Sequence, residues 1–284
     1  MSEHNNPFGN ENNTGHVWDD NLRELRNDPP TWWTYGLWAS LAFVVIYYLL
    51  YPAIPLVNTH TKGILGWTST GEYRQGMEKL AEMRGGREAQ VERMSVAAIL
   101  ADDDLRQYAT RSSRAVFGDF CAPCHGPGGQ GNPGYPILAN DDWLWGGSID
   151  RIMETITNGR QGNMPAHTHL TDAQINDLAR HVLALSQGRE HEPGKALYTG
   201  AGACFACHGM DGKGNTALGS PNLTNGIWLH GGSEQEIAQT IRHGINVANN
   251  PNTRISVMPV FGERLPESEI KKLAVYVHQL GGGQ

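Results

Sequence analysis

Two pentapeptides constrain this chain more than anything else in it: Cys121-Ala122-Pro123-Cys124-His125 and, 83 positions on, Cys204-Phe205-Ala206-Cys207-His208. Two thiols three positions apart, with an imidazole directly after them, match the attachment geometry of a c-type haem. Each thiol adds across one haem vinyl group, and the histidine sits beneath the iron as its proximal ligand. All four cysteines of the 284 residues lie in these motifs, so none is left for a disulfide. Other chemistries suit the motif less well. A zinc site wants a fourth ligand with no obvious candidate, and a thioredoxin-like dithiol wants a βαβ setting that this helical, Gly-rich pattern lacks.

The motif is one landmark of a longer repeat. Trp143-Leu144-Trp145-Gly146-Gly147-Ser148 returns as Trp228-Leu229-His230-Gly231-Gly232-Ser233, 85 positions later. Met164-Pro165 returns as Met258-Pro259, 94 later, and Ile175, Leu178, Ala179 and Val182 return as Ile270, Leu273, Ala274 and Val277, 95 later. The offset grows through insertions, the largest being nine residues between Gly244 and Met258. Four landmarks in one order describe a duplicated domain. Each copy reads as a helix into the Cys motif, a Gly-rich loop, a middle helix, a Met-Pro loop and a C-terminal helix. The C-terminal helices start with Thr171 and Gln174 at capping-box spacing and with Pro266 in the first turn.

The sixth iron ligand separates electron transport from chemistry. Met164 and Met258 share a repeat position, a following proline and a loop setting, whereas Met77, Met83, Met94, Met153 and Met210 have no counterpart. A thioether favours ferrous iron and closes the coordination sphere against outside ligands. Two His/Met centres, built from His125, Met164, His208 and Met258, are therefore electron relays. His167 and His169 lie near Met164, but the second copy has no histidine there. Gly126 and Gly209 would let the backbone pass close to the macrocycle. Arg160 and Arg242 are either propionate partners or solvated cations.

Upstream, no Asp, Glu, Lys or Arg occurs between Asp28 and Lys62. The apolar run from Trp32 to Ile54 reaches the ~20 residues a helix needs to cross a bilayer. Trp32, Trp33 and Tyr35 mark one interface, and Tyr47, Tyr48 and Tyr51 the other. It lacks the basic n-region and small-residue cleavage site of a signal peptide, so it reads as an uncleaved anchor. Before it, residues 1–17 read as a disordered tail, and Trp18, Leu22 and Leu25 as a short amphipathic helix. After it, Thr70 to Ala101 reads as two helical segments broken at Gly85-Gly86, and Asp102-Asp103-Asp104 as a helix N-terminus. A net charge of −7, with no basic block, argues against nucleic acid as a partner.

These residues carry a resemblance. The two haem domains resemble class I cytochrome c, an all-α fold with His/Met ligation. Gly15-His16-Val17-Trp18-Asp19, Glu24-Leu25 and Pro30-Thr31-Trp32-Trp33, leading into one transmembrane helix, resemble the dihaem subunit III of proteobacterial cbb3-type cytochrome c oxidases. The implied architecture is all-α: a cytoplasmic tail (1–31), a transmembrane helix (32–56), a helical linker (57–104) and tandem cytochrome c domains at 105–190 and 191–284. It implies two covalent c-type haems on Cys121, Cys124, Cys204 and Cys207, with His125, Met164, His208 and Met258 on iron. It also implies a haem–copper catalytic subunit, a membrane-anchored monohaem cytochrome and a periplasmic cytochrome c donor as partners, and haem domains on the periplasmic side of a bacterial inner membrane. The chain would deliver electrons to an oxidase that reduces oxygen and translocates protons, with no oxygen-reducing site of its own. The alternatives are a dihaem carrier for another membrane oxidoreductase and a membrane-anchored dihaem peroxidase. One departure stands out: Tyr276 is an aromatic of the kind class I cytochromes place in the last helix, but its counterpart is His181. That implies altered packing at the first haem.

Overall fold

A computed structural model describes residues 9–19 and 21–283. It divides the chain into two units, residues 1–82 and 83–284.

In the first unit, β1 (Asn13–Trp18) and β2 (Leu22–Leu25) form an antiparallel hairpin in which Trp18 faces Leu22 and Val17 faces Arg23. This corrects the expected amphipathic helix. Residues four apart are neighbours on a helix, but two residues facing each other across a tight turn have the same spacing. Asp19, with φ of 47°, turns the chain here. Arg23 pairs with Glu11, and the Asn12 amide donates to the Arg26 carbonyl at 2.9 Å. The expected disordered tail is corrected over residues 13–17, which are strand; residues 1–8 lie outside the described residues.

Helix α1 (Thr31–Leu50) spans 20 residues, none of them buried against the rest of the chain. At 1.5 Å per residue that length is about 30 Å, the thickness of a hydrocarbon core. It is the one helix among the described residues long and apolar enough to cross a membrane. It ends at Tyr51, whose backbone is extended, and Pro52 follows. Tyr47 and Tyr51 stack with ring centroids 4.9 Å apart.

Helix α2 (Ser69–Arg93) runs through Gly85-Gly86 without a break. A glycine costs a helix about 1 kcal/mol and does not by itself end it. Residues after the glycines are held in the second unit: Arg87 by Asp104 at 2.9 Å, Glu88 by Lys272 at 2.7 Å, and Val91 by full burial. The break falls instead before Ser95, whose hydroxyl accepts from Ala98 N and starts α3 (Val96–Ala101). Asp102 then caps α4 (Asp103–Phe120) by accepting from Leu105 N at 2.9 Å.

The rest of the second unit comprises α5 (Ala122–His125), α6 (Ile149–Asn158), β3 (Arg160–Gln161), α7 (Asp172–Leu185), α8 (Glu192–Thr199), α9 (Phe205–His208), α10 (Glu234–His243), β4 (Val257–Met258) and α11 (Glu267–His278). The middle helices α6 and α10 are capped by Ser148 and Ser233. Capping boxes close the N-termini of α7 (Thr171 with Gln174) and α10 (Ser233 with Glu236).

These elements build two apolar cores, and neither follows the order of the repeats. The first core joins α3, α4 and α6 to Phe261 and to Ile270, Leu273, Ala274 and Val277 of α11, the last helix of the chain. The second joins Ile175, Leu178, Ala179 and Val182 of α7 to Tyr198 of α8 and to Ile237 and Ile241 of α10. Each repeat gives its C-terminal helix to the other. The boundaries 105–190 and 191–284 mark the duplication in sequence, whereas packing draws its boundaries across them.

The exchange begins at the Met-Pro loops. Arg160 of β3 pairs with Met258 of β4, and by the same symmetry Ile245 pairs with Met164. Gly159 and Gly244 make these crossings possible. Their φ angles are 66° and 68°, and a Cβ on either would lie 2.4 Å from the carbonyl oxygen of Met258 or Met164.

Candidate haem sites

Each Cys-x-x-Cys-His motif folds as a single helical turn, α5 or α9, entered from a longer helix and closed by a glycine. Gly126 and Gly209 carry φ of 78° and 81° as the C-cap residues of those turns. Their left-handed backbone is one structural reason for glycine here.

The turn aims the imidazole. His125 Nδ1 lies 2.9 Å from the Pro136 carbonyl oxygen, and His208 Nδ1 lies 3.1 Å from that of Pro221. A carbonyl only accepts, so Nδ1 carries the proton and Nε2 keeps its lone pair for a metal. Burial holds both histidines below their ordinary pKa, against the opposing effect of those carbonyls, which favours the neutral imidazole. The two prolines are equivalent in the repeat, 85 positions apart, so this orienting contact could have been found from the sequence.

None of the four cysteines is joined to another in a disulfide. Cys121 packs on the first core and Cys204 on the second. Burial pushes both thiols up to about 11. Two thiols, an imidazole with a free Nε2 and a thioether from an apolar loop form a donor set that fits a covalently attached, six-coordinate haem at both places.

The methionines are divided unexpectedly. Met258 packs on the core that holds Cys121, Ala122 and Trp143. Met164 packs on the core that holds Cys204, Leu223 and Trp228. Each core thus receives its Cys-x-x-Cys-His turn from one repeat and its methionine from the other. The aromatic contacts are exchanged in the same way. Tyr276 of α11 packs on Phe117 of α4 with ring centroids 4.9 Å apart and planes tilted by 45°, in the first core. His181 of α7 meets the Tyr198 ring edge-on at 5.6 Å, in the second. The departure implied by His181 therefore belongs to the second core and not the first.

The remaining candidates separate. Arg242 pairs with Asp172 at 2.7 Å, near solvent, which places it among the solvated cations. Arg160 lies over the Trp145 ring at 4.9 Å. His167 Nε2 and His169 Nε2 each lie 3.0 Å from backbone carbonyls, of Gly202 and Ala201, as loop fasteners. Sequence reading missed Lys271 and Lys272, which look like surface residues of α11. Lys272 is 1% exposed and holds Glu88 and Glu269 at 2.7 and 2.6 Å; Lys271 donates to the Glu92 carbonyl at 3.0 Å.

One membrane-anchoring helix followed by two cores, each with a Cys-x-x-Cys-His turn, defines a membrane-anchored tandem c-type cytochrome. The comparisons then give the family. Residues 10–58 match the N-terminal domain of the cbb3 cytochrome oxidase protein FixP, residues 109–182 match cbb3-type cytochrome c oxidase subunit III, and residues 191–281 match cytochrome c. The chain is 41% identical over 288 residues to a cbb3-type cytochrome c oxidase subunit FixP of Azorhizobium caulinodans, covering 97% of this chain and 95% of that one. It is 38% identical over 289 residues to subunit CcoP of Cereibacter sphaeroides, with 95% of each chain covered. It belongs to the family of cbb3-type cytochrome c oxidase subunit III, the FixP/CcoP electron-transfer cytochromes, and carries two covalently bound c-type haems.

Proposed function

We propose that this chain takes single electrons from a periplasmic cytochrome c, or a similar donor, and passes them towards the haem–copper catalytic subunit of a cbb3-type oxidase. A membrane-anchored monohaem cytochrome is the third member of the assembly. The N-terminal tail lies in the cytoplasm and everything after α1 in the periplasm, because bacterial c-type haem is attached outside the cytoplasmic membrane. The apolar, unburied face of α1 supports the single crossing.

Cys121 and Cys124 would hold the first haem, with His125 as an iron ligand, and Cys204 and Cys207 the second, with His208. The methionines would cross over: Met258 would serve the first site and Met164 the second. What carries this reading is the division of the methionines between the two cores, with the matching pairs Arg160–Met258 and Ile245–Met164. A c-type haem supplies a one-electron ferric/ferrous couple. The chain's part is to fix both axial donors before any electron arrives. Tied histidines and methionines locked in a backbone pairing would need little rearrangement between oxidation states, and methionine ligation would keep oxygen and peroxide off both irons. Carbon monoxide difference spectra of the purified full chain test this. The account expects a low-spin spectrum unchanged by carbon monoxide; a high-spin, carbon-monoxide-binding haem in the unmutated chain contradicts it and favours the peroxidase alternative.

A further inference from the structure

Around Arg160 the charge does not close. Its guanidinium stacks over Trp145 at 4.9 Å, and its Nε donates to the Thr155 hydroxyl at 3.0 Å. Nη2 lies 3.1 Å from Glu154, a separation that makes an ion pair, yet this buried atom has no well-aligned hydrogen-bond acceptor. Glu154 is also shared: Arg151 donates to its other oxygen at 2.6 Å. Two guanidiniums on one carboxylate leave one positive charge in excess, and the Arg160 side chain is only 16% exposed. A buried donor left unmade costs on the order of 1–3 kcal/mol, so a native site of this kind normally has an acceptor.

The backbone indicates where that acceptor lies. Arg160 and Met258 are directly opposed across the β3–β4 ladder. Directly opposed residues project from the same face of a sheet. The guanidinium therefore shares a face with the thioether that serves the first site. A planar fork in that position suits a carboxylate. We propose that Arg160, held flat on Trp145, binds a propionate of the haem at the Cys121–Met258 site. The second site is built differently. The residue opposed to Met164 is Ile245, and Trp145 is replaced by His230, so the aromatic platform is missing there; the arginine on that side, Arg254, is bridged to Ile245 and so lies one strand further from Met164. The two haems are thus unequal by construction. Directly opposite Met258, a guanidinium offsets the negative charge that would otherwise favour ferric iron.

The inference rests on the Met258 assignment, and the test keeps the two apart. Optical redox titration of the full chain in detergent resolves two haem components. Replacing Met258 or Met164 labels which component each methionine governs, whichever cysteine pair holds that haem. Arg160→Gln is expected to lower the midpoint potential of the Met258 component and leave the Met164 component in place. Arg160→Lys, which keeps the charge and loses the fork, is expected to lower it by less. Arg242→Gln, already paired with Asp172, moves neither. Should Arg160→Gln fail to take up haem, Arg160→Lys carries the test, together with the propionate bending modes seen by resonance Raman, which should shift for the same component. An unmoved Met258 component, or a shift confined to the Met164 component, overturns the anchor. The owner of Met258 is settled separately by methyl contacts to the haem substituents.

Discussion

The two cores share one plan and differ in what surrounds it. In the first, Phe117 packs on Tyr276 at 4.9 Å, and the linker helix adds a third layer through Val91 and the Glu88–Lys272–Glu269 cluster. In the second, Tyr198 meets His181, and the described residues of α2 play no part. A small haem domain has little apolar mass of its own. The first core compensates with a borrowed helix and a buried lysine cluster, and the second with α8 and α7. The difference shows that the duplication copied a topology without copying its supports, and that each core depends on the other repeat for a helix and a methionine.

The largest expected effect comes from the methionines. Met258→Ala opens one iron and Met164→Ala the other, so each variant should convert one of the two haems to a carbon-monoxide-binding form and spare its partner. Conversion of both haems by one change would break the symmetry described here.

Truncating the exchanged helices sharpens the comparison. Leu178 is 0% exposed in the second core and Leu273 is 1% exposed in the first. Leu→Ala at such positions costs about 2–5 kcal/mol. Leu273→Ala should loosen the first haem, and Leu178→Ala the second, as read by thermal melts at the two haem signals. The opposite pattern would restore the domains to sequence order.

Lys272→Ala leaves Glu88 and Glu269 without their cation and should cost about 3 kcal/mol, again at the first haem only. The same cluster sets a pH dependence. Burial tends to raise the Glu88 carboxyl, but hydrogen bonds from Lys272 and Tyr108 outweigh it and hold the group below its ordinary value. A carboxyl lowered by folding contributes stability that is present above its unfolded pKa and lost as pH falls through its folded one. Melting of the first core should therefore soften on acidification from about pH 5 downwards, and this component should disappear in Glu88→Gln. The smallest expected effect is at the caps. Thr171→Ala or Ser233→Ala removes a capping box worth about 1 kcal/mol, and both changes should act on the second core, where α7 and α10 meet.

Much of the site could be read from the chain. The Cys-x-x-Cys-His turns, the apolar helix, the caps at Asp102 and Thr171 and the repeat itself all rest on local spacing, which sequence displays directly. The exchange of helices does not. Ile175, Leu178, Ala179 and Val182 present the same apolar face as Ile270, Leu273, Ala274 and Val277, so either helix completes either core as far as periodicity can tell. Which copy receives which helix is decided by the crossing at Gly159 and Gly244, a three-dimensional event. Lys272 was hidden for a related reason: a lysine looks solvated until its carboxylates, one of them 184 positions away, are brought to it. At Gly85-Gly86 propensity was outweighed by tertiary anchoring, and at Trp18–Leu22 one spacing served two structures.

The crossed ligands are the central claim, and one measurement addresses them without altering either site. In the reduced, diamagnetic full chain labelled at methionine methyls, each ligating methyl is shifted far upfield by its haem ring and shows Overhauser contacts to nearby substituents. The Met258 methyl should contact the haem joined to Cys121 and Cys124, together with Phe117 and Tyr276, and the Met164 methyl the haem joined to Cys204 and Cys207. Contacts from Met164 to the Cys121–Cys124 haem would contradict the account and return each repeat to a self-contained domain.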